Sequence, residues 1–157
     1  MNVDAQSATR PASTAAAPRL NRVRRGSLAV FVLVVAEFGL GMYVNLYVSG
    51  PAAGHGASLG SVISGGPAAL SAHAVTGLLL GLGAIGVLAA SVAARRPACT
   101  AMAALGLIAL AAADAAGTSF ASSGHAEDSM AMSVCTGVAL LCYAAISVAA
   151  RPPGQRD

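Results

Sequence analysis

The chain has 157 residues, of which 56% are hydrophobic and only 10% charged, with a formal net charge of +3. Soluble domains carry about 25% charged residues, so this balance excludes an ordinary water-soluble globule and describes a polytopic membrane protein. All nine basic residues are arginine and all lie outside the apolar runs. Their placement therefore speaks for orientation in a membrane, not for nucleic-acid binding.

Residues 1–27 are rich in Ala, Ser, Thr and Pro, hold Arg10, Arg19, Arg22, Arg24 and Arg25, and show no apolar period. Composition predicts a disordered cytoplasmic tail there. A secretory signal of twin-arginine type at Arg24 and Arg25, cleaved near 51–53, is the rival reading. The apolar run that follows is too long for it and contains an acid.

That run, LAVFVLVVAEFGLGMYVNLYV at 28–48, has 21 residues with Glu37 near its middle and Asn45 near its far end. As a helix it spans about 30 Å, the thickness of a hydrocarbon core. A Gly- and Ser-rich segment without acid or arginine, 49–67, breaks the helix. A second run, 68–94, ends at Arg95, Arg96 and Pro97, and carries His73 with the GxxxG pair Gly77 and Gly81. The third, 98–120, is built on alanine and contains Asp114. The fourth, 130–150, ends at Arg151, leaving 151–157 as a short tail. With four spans every arginine falls on one side of the membrane, whereas with three Arg151 and Arg156 would cross to the other. The expected architecture is all-α: an up-and-down four-helix transmembrane bundle of the plasma membrane, 28–150, with both termini cytoplasmic.

Counting residues inward from the outer ends gives depths of about 5 Å for Asn45 and Ser133, about 8 Å for His73, about 9 Å for Asp114 and about 17 Å for Glu37. Glu37, Gly41 and Asn45 form one i, i+4, i+8 stripe, and His73, Gly77 and Gly81 form another. These stripes are expected to face each other, with His73 paired to Asp114 at matched depth and Glu37, Asn45 and Ser133 completing an intramembrane polar patch. Gly41, Gly77 and Gly81 are the expected helix-packing positions.

For function, the first expectation is a structural or interaction component of a membrane assembly. Its partners would be the lipid bilayer and a homo-oligomer or larger membrane complex, with no nucleic acid. The alternative is proton, small-solute or cofactor handling through the patch, since intramembrane ionisable groups are costly. Haem would require an axial pair such as His73 and Met132. A copper site would draw on His55, His125, Met130 and Met132. Neither spacing is specific, so no cofactor or metal is assigned. Cys99, Cys135 and Cys142 show no metal-binding spacing and read as packing residues. Glu127, Asp128 and Ser129 resemble a helix N-terminal cap, and Tyr43, Tyr47 and Phe120 interfacial anchors. No Walker loop, dinucleotide fingerprint, nucleophile elbow or HExxH occurs, so no enzyme activity is expected.

The segment AEFGLGMYVNLYVSGP, a histidine early in the second run, and the later GTSF and SMAM resemble a group of small four-helix membrane proteins of actinobacteria. The resemblance implies a plasma-membrane protein with Glu37, Asn45 and His73 at the motif positions, and implies no activity.

Overall fold

The computed structural model describes residues 11–47, 60, 64 and 67–151. Four long helices make up almost all of it: α1 (Pro11–Tyr47), α2 (Ala68–Ala93), α3 (Pro97–Ser123) and α4 (Ala126–Ala149). Each is long and apolar enough to cross a membrane. Each helix packs against two neighbours, in the ring α1–α2–α3–α4 and back to α1, and no packing crosses the diagonal. This is the up-and-down four-helix bundle that the short α2–α3 and α3–α4 connections favour.

Local chemistry explains the turns. The α2–α3 connection is a Schellman closure: the N–H of Arg95 donates to Val92 O, that of Arg96 to Ser91 O, and Arg95 takes the left-handed φ of 53° where glycine is usual. Pro97 then opens α3 at its first turn, where its missing N–H costs nothing. At the other end of α3, Gly124 supplies the left-handed cap at φ 72° and α4 begins almost at once.

Two expectations are corrected here. Residues 11–27, read as a disordered tail, continue α1, and Leu20, Val23 and Ser27 are buried. Buried positions on α1 run Leu20, Val23, Ser27, Val30, Val34, Glu37 and Gly41, alternating steps of three and four. That is the seam of a helix packed on its neighbours at a 3.5-residue period, and it does not stop where the arginines begin. Residues 1–10 and 152–157 lie outside the described residues. The fourth helix starts at Ala126, not 130, so Ser129 is inside it and its carbonyl accepts the Ser133 hydroxyl at 3.0 Å.

The α1–α2 pair is antiparallel and closely meshed. Going up α1, an added Cβ at Gly26 would lie 3.2 Å from Val87, Val30 lies against Gly83, Glu37 against Gly77 and Gly41 against His73. At the arginine end, Arg19 Nη1 donates to Ala93 O at 3.5 Å. Between α3 and α4 small residues bring the backbones together: the Tyr143 ring lies over Gly106, 3.0 Å from where a Cβ would stand. Ser27 and Ser91, both buried, donate to carbonyls of their own helices, Arg24 O and Val87 O. The outer surface is apolar, with Leu28, Val32, Leu78, Leu82, Ile108 and Leu141 all about half exposed or more. In water so large an apolar surface would aggregate; in a bilayer it is the lipid-facing side.

Candidate functional site

The seam of α1 brings Glu37 inward, and the first turns of α2 bring His73 to meet it. Glu37 Oε1 lies 2.8 Å from His73 Nδ1. The residue Glu37 is 9% exposed, and the His73 side chain 27%. Nδ1 nevertheless has no aligned hydrogen bond, so the carboxylate sits off the direction of the ring N–H, and Glu37 Oε2 has no hydrogen-bond partner at all among the described residues. The contact is an ion-pair-distance approach with spare hydrogen-bonding capacity in a low-dielectric setting.

Two glycines make this approach possible. A Cβ at Gly41 would stand 3.1 Å from His73 Cε1, and one at Gly77 would stand 3.2 Å from Glu37 Oε1. Each helix thus carries one polar side chain and, four residues on, the hollow that receives the other helix's polar side chain.

The remaining residues of the expected patch do not join it. His73 takes Glu37 as its partner, not Asp114, which is exposed on α3. Matched depth was the basis for that pairing, but depth says nothing of azimuth: Ala113 occupies the α3 seam and Asp114 is turned about 100° from it. Asn45 is exposed, and Gly81 would give a Cβ nothing to touch within 4 Å. One cause covers both. Eight residues along a helix accumulate about 80° of rotation, so an i, i+8 position has left the face on which i sits. The seams pass instead through the half-buried Val44 and through the buried Leu80. Ser133 is exposed and bonded within its own helix.

Of the metal and haem readings, His55 lies outside the described residues. Met132 Sδ packs toward Gly117 on α3, and the His73 ring faces α1. Among the described residues no group of three His, Cys, Asp or Glu is placed to hold a metal ion.

Two features escaped the sequence reading. Tyr143 is fully buried and its hydroxyl has no hydrogen-bond partner among the described residues. The available signal was Gly106, the one glycine at matching height on α3. At the far end, Asp128 Oδ2 accepts the hydroxyls of Ser119 at 2.9 Å and Ser123 at 3.0 Å, tying α4's first turn to α3's last. The i, i+4 spacing of those serines nine and five residues before an acid was its trace.

An all-α bundle of four membrane-crossing helices holding one buried acid–histidine contact defines a small multi-pass integral membrane protein. No family model matches the chain, and no curated protein and no solved structure matches it.

Proposed function

We propose that this membrane protein binds and releases protons at the Glu37–His73 pair, acting as a subunit of a homo-oligomer or larger complex in the plasma membrane. The observation that carries the reading is the buried carboxylate 2.8 Å from an imidazole with its second oxygen unpartnered. A pair retained only to hold two helices together would be expected to satisfy its polar atoms, since each buried unpaired group costs about 1–3 kcal/mol. Taking up or losing one proton changes the charge between α1 and α2, and with it the free energy of their contact. Toward the arginine end the seam is closed by Val34, Leu80, Ala84 and Val30, all nearly or fully buried. Exchange then proceeds from the far side, where His73 is partly exposed. Transport through the pair would need an assembly, since this four-helix chain shows, among the described residues, no inverted repeat or broken helix of the kind secondary transporters use.

Difference infrared spectroscopy of the purified protein across a pH titration tests this. A carboxyl C=O band that titrates, is absent in Glu37→Gln and shifts in His73→Gln is the expected result. An identical spectrum in wild type and Glu37→Gln removes the proposal.

The reciprocal glycine hollows favour a second reading, a clamp that sets the α1–α2 register within a scaffold. Under it Glu37→Gln leaves stability and assembly unchanged and no carboxyl band titrates.

A further inference from the structure

We propose that the face of α1 running from Arg25 to Ala36 seats one anionic phospholipid of the leaflet at the arginine end, its phosphate on Arg25 and Arg22 and an acyl chain along the helix. The heights of the arginines are the first observation. Arg19 is level with Ala93, the last residue of α2. Arg22 and Arg25 therefore lie about 5 Å and about 9 Å further into the bundle, beside a stretch of α2 that is still apolar. Both are exposed on the outside of the bundle.

Charge is the second. All four acids among the described residues lie elsewhere: Glu37 is about 18 Å along α1 from Arg25, and Asp114, Glu127 and Asp128 belong to the far half of α3 and the start of α4. Glu37 is itself paired with His73. Guanidinium groups set below the bundle's end need an anion that reaches them from the membrane itself, and a lipid phosphate is the anion present at that depth.

Shape is the third. Arg25, Leu28, Ala29, Val32, Leu33 and Ala36 line one shallow, nearly flat groove on the surface of α1. Its length, twelve residues or about 16 Å from first to last, matches the roughly 15 Å hydrocarbon depth of a single leaflet. The Arg25 guanidinium stands at the end where a headgroup would lie. A free anion would use the charge but not the groove, and an apolar helix of a second copy would use the groove but not the charge.

The full-length protein, incorporated into nanodiscs of equal parts phosphatidylglycerol and phosphatidylcholine and released for native mass spectrometry, provides the test. Phosphatidylglycerol is expected to be retained in preference, Arg25→Gln to reduce that preference about fivefold, and Arg25→Lys to preserve most of it. Ala29→Phe, which fills the groove and leaves every charge in place, is also expected to reduce retention, and circular dichroism on each variant separates loss of lipid from loss of fold. Equal retention of the two lipids overturns the proposal. So does a preference untouched by either Arg25→Gln or Ala29→Phe in folded protein, or one abolished equally well by glycerol phosphate without a tail.

Discussion

At Gly77 an added methyl would stand 3.2 Å from Glu37 Oε1, whereas at Gly81, one turn further on, it would meet nothing within 4 Å. Gly77→Leu must displace the carboxylate from His73 and is expected to cost about 1–3 kcal/mol, as overpacking does. Gly81→Ala should be neutral or stabilising by at most about 1 kcal/mol, since it removes only a helix-weakening glycine. Thermal unfolding in one detergent measures both, and equal losses would mean that Gly81 is packed against another chain. Tyr143 makes the opposite point: its ring fills the hollow over Gly106, but its hydroxyl is buried without a partner. Tyr143→Phe keeps the ring and removes the unsatisfied group, so a gain of about 1 kcal/mol is expected in the same assay. A loss of that size would reveal a bonded hydroxyl. None of these three outcomes could be drawn from residue type alone, because each depends on what stands opposite.

Among the elements, α1 departs furthest from what composition suggests. Its arginines and its Ser- and Thr-rich start look like a tail, and hydropathy places the beginning of a helix at Leu28. The alternating three- and four-residue spacing of Leu20, Val23, Ser27, Val30 and Val34 is nonetheless visible in the sequence. Two apolar residues among four arginines are too few to stand out, and only the presence of α2 and α4 beside them makes those two a continuation of the seam. In hydrogen exchange the amides of residues 20–27 are expected to be protected to a degree comparable with 30–37. Exchange as fast as in an unstructured peptide would restore the tail. At the α3–α4 hairpin the expected turn spans 121–129, but Gly124 caps α3 at Ser123, and Glu127 and Asp128 fall inside the first turn of α4.

For the whole molecule, the up-and-down ring gathers all seven described arginines at one end and places Glu127 and Asp128 at the other. By the positive-inside rule the arginine end is expected to face the cytoplasm. A periplasmic-type reporter such as alkaline phosphatase fused after Ser123 should be active, and the same reporter fused after Arg96 should be silent. The reverse pattern would invert the molecule and move both the proposed proton site and the proposed lipid groove to the opposite leaflets.

The number of helices and the segregation of charge follow from the sequence by itself, because apolar length, helix-breaking glycines and prolines, and arginine position are properties of single segments. The stripe Glu37–Gly41 and the stripe His73–Gly77 are also readable there, since four residues of helix turn a side chain only about 40°. The tertiary structure alone decided that Glu37 belongs to His73 and Asp114 to the surface, that Asn45 and Gly81 have rotated away, and that α1 goes on past its arginines. Those outcomes depend on azimuth and on the neighbour opposite, and depth counted along one helix contains neither.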